Sequence, residues 1–165
     1  MSKEIIQLGH PALREVCEPI DIASIKSPDI QGLISDMKEA LASQSDGIGL
    51  SAPQIAVTKR MFIMSSKLFE DEPGAEDIIC INPEILSTSQ KTYTEEEGCL
   101  SIRGIYGDVE RPESVEMTAY NEHGDILKYK AHGLLARVIQ HEIDHLDGIL
   151  FIDKATDIKE IPYEQ

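Results

Sequence analysis

Apolar residues recur at helical spacing in two segments of the chain. In the first, residues 27–44, they line one face, and the segment opens with Ser27 and Pro28, a pair typical of a helix N-cap followed by a first-turn proline. In the second, the pattern begins at Gly133 and continues to about His145. The pattern therefore predicts an N-terminal amphipathic helix and a second helix late in the chain.

Between these helices, short apolar or alternating runs predict β-strands. The runs cover residues 60–64, 78–81, 115–120 and 126–129. Because the strands are clustered instead of alternating with helices, we expect an α+β fold. Antiparallel or mixed sheets should pack around the second helix. No repeat or long linker divides the sequence, so a single domain over residues 1–165 is expected.

Composition limits the class of function. The chain has 165 residues and a formal net charge of −15, which opposes broad contact with nucleic acid or anionic lipid. Neither a signal-peptide pattern nor an 18-residue apolar run is present, so no membrane association is expected. Three widely spaced cysteines, Cys17, Cys80 and Cys99, suit a reducing compartment. We therefore expect a cytoplasmic protein with a small or peptidic partner.

The second predicted helix carries the sequence HEIDH at residues 141–145. Residues four apart share one helix face, so His141 and His145 are candidate metal ligands, with Glu142 beside them as a base. A hydrolytic metal site takes three protein ligands and leaves one position open for water. The strongest candidate for the third ligand is Cys99. The alternative interpretation is a buried, inert thiol, which is what we expect of the other two cysteines.

Residues 47–54, GIGLSAPQ, are too rich in glycine, serine and proline for a helix. The glycines permit close approach of another backbone, and the amide of Gln54 can donate to an oxyanion that develops during a reaction. By itself the segment is also typical of a turn before a strand. The segment indicates a function only together with the other motifs.

Taken together, GIGLSAPQ, EGCLS at residues 97–101 and HEIDH resemble, in order and separation, the signature motifs of peptide deformylases. The resemblance extends over about the whole chain. It implies an enzyme that removes the formyl group from the N-terminal formylmethionine of new polypeptides and releases formate. It also implies one Fe(II) per chain, held by Cys99, His141 and His145. Ligand chemistry alone does not select iron, since this set also suits zinc, and we expect zinc, nickel or cobalt as substitutes in purified protein.

Similarity to the family also implies roles for other residues. Glu142 is expected to act as general base, while the Gln54 amide and the Leu100 backbone N–H stabilise the oxyanion. The formylated peptide should add as a strand beside the backbone of Gly47, Ile48 and Gly49.

Three apolar residues are candidates for a methionine pocket: Ile48, Leu134 and Val138. The alternative for each is ordinary core packing. The family pattern further suggests an ion pair between Glu97 and Arg111. The alternative for Glu97 is a solvated acidic run at residues 95–97.

The sequence departs from common forms of the motifs at Ser51, where alanine is frequent, and at Arg103, where many members carry proline. Arg103 lies in residues 102–108, which we interpret as a loop beside the site. Residues 157–165 are interpreted as an acidic tail, unlike the basic C-terminal helix by which some bacterial members dock on ribosomes. Association with ribosomes would then need another route. We also expect a monomer.

Two rival hypotheses remain open from sequence alone. One is a zinc peptidase of the HExxH type, although such enzymes normally take a third His or Glu ligand downstream of the motif. The other is a catalytically silent deformylase-like paralogue that serves as a binding module. Retention of Glu142 and Gln54 weighs against this second hypothesis, since a structural metal site needs neither a base nor an oxyanion donor.

Overall fold

The computed structural model describes residues 3–162, which contain two α-helices and eight β-strands joined by turns and short 3-10 segments. The helices are α1 (Pro28–Ala42) and α2 (Gly133–Leu146). The strands are β1 (Gly49–Ser51), β2 (Met61–Met64), β3 (Ile78–Thr88), β4 (Thr92–Cys99), β5 (Ile102–Pro112), β6 (Ser114–Tyr120), β7 (Ile126–His132) and β8 (Thr156–Glu160). The predicted α+β class is confirmed.

Both predicted helices are present, and local signals explain where they begin. At the start of α1, the Ser27 side chain accepts a hydrogen bond from the backbone N–H of Ile30 at 3.4 Å, and Pro28 occupies the first turn. Helix α2 begins at Gly133, whose φ of 61° lies in the left-handed region that glycine adopts without strain. That conformation turns the chain from strand β7 into the helix.

A five-stranded antiparallel sheet in the order β1-β2-β3-β6-β7 separates the two helices. Alternate side chains of a strand point to opposite faces. In β2, Met61 and Ile63 pack in the cluster that includes α1, whereas Phe62 and Met64 pack in the cluster that includes α2. Burial on both faces explains why this strand is a continuous apolar run in the sequence.

A second, three-stranded sheet in the order β4-β5-β8 was not predicted. The interpretation of residues 102–108 as a loop is wrong, because they belong to β5. The supposed acidic tail is also wrong in part, since Thr156–Glu160 forms β8, while residues 163–165 lie outside the described residues. These strands are rich in charged residues and glycine, which hide the alternation that marks an amphipathic strand.

Helix α2 lies between the two sheets. One side of it packs on the five-stranded sheet through residues such as Ile139 and Ile143, and the other side carries polar residues toward β4 and β5. No helix among residues 3–162 is both long enough and apolar enough to cross a bilayer. The fold therefore brings the end of β4, strand β1 and the polar side of α2 to one place.

Candidate metal centre and active site

The three predicted metal ligands converge in space. Cys99 ends strand β4, while His141 and His145 lie one turn apart on α2. The Cys99 Sγ lies 3.3 Å from the His145 Nε2, and the ligand atoms of all three residues lie within 4.8 Å of one another. A thiolate with two imidazoles is a donor set that suits zinc and iron. The residues present therefore fit a divalent transition metal.

The hydrogen bond made by His141 and the burial of His145 are the two features that suit metal binding. The Nδ1 of His141 lies 2.8 Å from the Glu97 Oε1, which leaves the Nε2 of that ring to bind a metal. Burial lowers the pKa of His145 well below its usual value, and the neighbouring His141 lowers it further. A lowered pKa keeps the His145 ring neutral, which is the form that coordinates a metal.

Glu142 is a buried carboxylate beside this cluster. Its side chain is 3% exposed, and its Oε1 has no hydrogen-bond partner within residues 3–162. Burial raises the pKa of Glu142 to about 7. A carboxylate that titrates near neutral pH can both accept and return a proton during a reaction.

Gly49 makes room for Glu142 where strand β1 approaches α2. A Cβ atom added at Gly49 would lie 2.8 Å from the Glu142 Oε2 and 3.1 Å from a Val138 methyl carbon. Contacts this short are not tolerated between packed atoms, so a side chain at position 49 displaces the carboxylate or the strand. The glycine of the motif therefore has a steric reason in this structure.

Gln54 is oriented by Ser51. The Gln54 Oε1 accepts hydrogen bonds from the Ser51 backbone N–H at 2.9 Å and from its hydroxyl at 3.1 Å. The amide nitrogen is thereby directed to the other side, where it lies 3.1 Å from the Ser101 Oγ and 3.5 Å from the Cys99 Sγ. Ser51, noted only as a departure from the motif, adds a second donor to the carbonyl that fixes this amide.

A cavity of about 410 Å³ opens at the ligand cluster. It is lined by every residue predicted to bind substrate: Gly47, Ile48, Gly49, Leu134 and Val138. Val138 is buried at the inner wall, whereas Leu134 is 56% exposed. Gln54, Leu100 and Glu142 line the same cavity, so the predicted site residues are brought together.

The predicted contact between Glu97 and Arg111 is present and forms part of a larger buried network. Arg111 donates to Glu97 through Nε at 2.6 Å and through Nη2 at 3.0 Å, and its Nη1 donates to Asp144 at 2.9 Å. Burial alone would raise the pKa of Glu97, but the hydrogen bonds with His141 and Arg111 outweigh it and lower that pKa to about 2. Glu97 therefore stays ionised beneath His141.

Arg137, which has no predicted role, also joins this network. Its Nη1 donates to the Glu97 Oε2 at 2.6 Å. The one available signal was its position on α2, four residues before His141, which places both side chains on one helix face.

Comparison with known proteins agrees with this geometry. A sequence model of the family described as Polypeptide deformylase matches residues 2–160. Peptide deformylase 2 of Clostridium perfringens (strain 13 / Type A) is 45% identical over 159 residues, which cover 96% of each chain. Matches of this extent favour a deformylase over the zinc peptidase and the silent binding module.

Solved structures show the same fold. The class I type b peptide deformylase from Acinetobacter baumannii, bound to Met-Ala-Ser, matches with a TM-score of 0.84 and 31% identity over 93% of this chain and 98% of that one. A peptide deformylase from Synechococcus elongatus in complex with actinonin gives a TM-score of 0.81 and 36% identity over 94% and 79% of the two chains. With sequence, fold and a Cys-His-His cluster in agreement, the chain belongs to the polypeptide deformylase family and to its enzyme class.

Proposed function

We propose that this deformylase uses Cys99, His141 and His145 to hold one divalent metal ion, with Fe(II) as the physiological ion, and Glu142 as general base on N-formylmethionyl peptides. The observation that supports the proposal is the convergence of three ligand atoms within 4.8 Å beside a buried carboxylate whose Oε1 has no hydrogen-bond partner among residues 3–162. Zinc, nickel and cobalt are expected to occupy the same ligands in purified protein, since the donor set does not exclude them.

Glu142 moves the proton in this proposal. A metal ion held by Cys99, His141 and His145 would supply Lewis acidity to the site. Glu142 accepts a proton from the water that attacks the formyl carbon. The same carboxyl group then returns the proton to the methionine nitrogen as the C–N bond breaks, and formate leaves.

Gln54 and Leu100 are proposed to stabilise the oxyanion. The Gln54 amide nitrogen is held toward the cluster by the two hydrogen bonds that its carbonyl accepts from Ser51. The Leu100 backbone N–H follows directly after Cys99 at the wall of the cavity. A donor that meets the charge of the transition state typically lowers the barrier by about 3 to 4 kcal/mol.

The peptide is proposed to bind along strand β1. This strand forms one edge of the five-stranded sheet, so its outer backbone groups can pair with an added strand. The backbone of Gly47, Ile48 and Gly49 would then pair with the peptide, and the methionine side chain would lie in the cavity between Ile48, Leu134 and Val138. The A. baumannii relative, which binds Met-Ala-Ser, supports a peptide as the ligand.

The setting proposed for this activity is the cytoplasm, where new polypeptides carry the formyl group. We propose a monomer that contacts neither nucleic acid nor membrane directly. Any association with ribosomes would need a route other than a helix at Thr156–Glu160, which forms the exposed strand β8.

The proposal is tested by formate release from formyl-Met-Ala-Ser, measured with anaerobically prepared Fe(II) protein of known metal content. Glu142→Gln should lower kcat by about 10² to 10⁴, the usual contribution of a general base, without loss of bound metal. Glu95→Gln, at an exposed position on β4, is the matched control and should retain the wild-type rate. Absence of formate release by the wild type would contradict the activity. Equal rates in the wild type and Glu142→Gln would contradict the assignment of the base.

A second measurement tests the cysteine ligand without reference to activity. Burial raises the pKa of Cys17 to about 11 and also raises the pKa of Cys80, whereas Cys99 is partly exposed in the cavity. Iodoacetamide should therefore label Cys99 first in metal-free protein, and zinc should protect it, because only the thiolate reacts. Cys17 is the internal control. Labelling of Cys99 at one rate with and without zinc would exclude it as a ligand.

A further inference from the structure

Arg137 is a buried arginine that connects α2 to the three-stranded sheet. The residue is 5% exposed. Its Nη1 donates to the Glu97 Oε2 at 2.6 Å and to the Val109 carbonyl at 2.8 Å, and its Nη2 donates to the Tyr93 carbonyl at 2.9 Å. The guanidinium also lies over the Tyr93 ring, 4.5 Å from its centroid. Such fixed, planar contacts are typical of an arginine that sets geometry.

The two oxygens of Glu97 have different partners. Oε1 accepts from the Arg111 Nη2 and contacts the His141 Nδ1, whereas Oε2 accepts from the Arg111 Nε and the Arg137 Nη1. Arg111 belongs to β5 and so fixes Glu97 relative to its own sheet. Arg137 belongs to α2, the helix that carries His141, and therefore fixes Glu97 relative to that helix.

Two contacts between α2 and the three-stranded sheet flank the histidines. Arg137 lies one turn before His141, and Asp144, which accepts from Arg111 at 2.9 Å, directly precedes His145. Cys99 is at the end of β4, the strand on which Arg137 holds both Glu97 and the Tyr93 carbonyl. The distance between the thiol on the sheet and the imidazoles on the helix thus depends on how these two elements are held together.

We propose that Arg137 is a positioning residue of the metal centre: by holding Glu97 against α2, it keeps His141 oriented to bind metal together with Cys99. This inference rests on the ligand roles proposed above. Groups that orient a metal ligand through a hydrogen bond typically change metal affinity by about 10- to 100-fold when they are removed.

A purely electrostatic effect of removing Arg137 would change metal affinity in the opposite direction. Removing the Arg137 cation near a divalent site would, by Coulomb's law alone, strengthen metal binding. Loss of positioning weakens it. The direction of the change in affinity therefore distinguishes the two effects.

Gln140 also anchors α2 to the three-stranded sheet but does not contact Glu97. Its substitution is therefore the matched control. Gln140 is 7% exposed on the same helix, and its amide donates to the Pro112 carbonyl of β5 at 3.1 Å. Gln140→Leu removes a helix-to-sheet hydrogen bond of the kind that Arg137 also makes to Val109. It should lower the melting temperature but leave metal binding unchanged.

The test compares Arg137→Met, which keeps the apolar stem, with wild type and Gln140→Leu. Zinc affinity is measured by competition with a chelating dye, and geometry by the visible absorption of the Co(II) protein. Arg137→Met should bind zinc about 10- to 100-fold more weakly and shift the Co(II) bands. Arg137→Lys, which keeps a cation for Glu97, should recover part of the affinity.

A folded Arg137→Met protein with unchanged or higher affinity and an unchanged Co(II) spectrum would overturn the inference. If that variant does not fold, Arg137→Gln, which is shorter and retains one amide donor, is judged by the same spectrum and the same criterion. A wild-type Co(II) protein without a thiolate-to-cobalt band would instead contradict the ligand set itself, and the inference with it. The two failures are therefore distinguishable.

Discussion

The two helices pack on opposite faces of the same sheet, yet they bury different kinds of side chain. Helix α1 buries only apolar residues: Ile30, Leu33, Ile34, Met37, Ala40 and Leu41. Helix α2 buries apolar residues on one side and polar residues on the other: Arg137, Gln140, Glu142 and His145. The same helical period therefore serves a core in one case and a chemical site in the other.

The difference lies in what each buried face requires of its surroundings. Apolar burial is non-directional, so α1 needs only a complementary apolar surface. A buried charge needs a partner at hydrogen-bond distance, because leaving it unpaired is costly. The three-stranded sheet supplies such partners to Arg137, His141 and Asp144 of α2 through Glu97, Arg111 and backbone carbonyls. Interactions on the α2 side are therefore expected to be the more sensitive to single substitutions.

The largest effect is expected from Glu97→Ala. This change leaves Arg111 and Arg137 buried without the carboxylate that both contact, and breaking a buried pair typically costs about 3 to 5 kcal/mol. It also removes the partner of the His141 Nδ1, so metal retention should fall. Urea unfolding and metal analysis measure the two effects.

The adjacent residue provides the control for that substitution. Glu96 lies on the same strand, but its side chain is 48% exposed, so Glu96→Ala should change stability by less than about 0.5 kcal/mol. Similar losses in the two variants would contradict the importance assigned to the buried network.

On the α1 side, Met37→Ala should reduce stability without a matching loss of catalysis. Met37 is 1% exposed in the cluster around α1, and truncation of such a side chain leaves a cavity that typically costs about 2 to 5 kcal/mol. Because Met37 itself lies on α1, across the five-stranded sheet from α2, kcat per bound metal should stay at the wild-type value. Lys38→Ala, at an exposed position on the same helix, controls for helix propensity. A large fall in kcat for Met37→Ala would show that the two sides are coupled.

The comparison also explains what could be predicted from the sequence. Both helices follow from apolar periodicity, and the apolar strands of the five-stranded sheet follow from their composition. Strands β4 and β5 were missed because their inward side chains include Glu97 and Arg111, which satisfy each other's charge and so need no apolar pattern. Sequence periodicity detects burial in an apolar environment, but it does not detect buried residues whose opposite charges pair with each other.

For the candidate site, the motifs predicted the residues that the structure brings together, but not what orients them. Cys99, His141 and His145 are recognisable from residue type and spacing. The contact between Arg137 and Glu97 joins positions 40 residues apart, and only the packing of α2 against β4 and β5 creates it. The hydrogen bonds from Ser51 to Gln54 likewise depend on a tight turn, and the amino-acid composition does not specify the geometry of that turn.

A smaller effect is expected from Gly49→Ala, which tests the close approach of β1 to α2. The added Cβ would lie 2.8 Å from the Glu142 Oε2, and overpacking of this kind typically costs about 1 to 3 kcal/mol. Because either the carboxylate or strand β1 must move, kcat should fall even at full metal occupancy. A wild-type kcat with measured stoichiometric metal would show that Glu142 tolerates the displacement.

The smallest effect, and the only stabilising one, is expected from Gly32→Ala on the exposed face of α1. A Cβ atom added there meets no other atom within 4 Å, in contrast to the crowded position of Gly49. Alanine loses less backbone entropy than glycine on helix formation, so the substitution should stabilise the protein by about 0.5 to 1 kcal/mol. Urea unfolding measures the gain, and kcat should not change, because the added methyl group meets no other atom within 4 Å. Since the same chemical change at Gly49 should act in the opposite direction, the pair isolates local packing from the intrinsic preference of the residue. Destabilisation by Gly32→Ala would show that α1 is constrained by more than its buried apolar face.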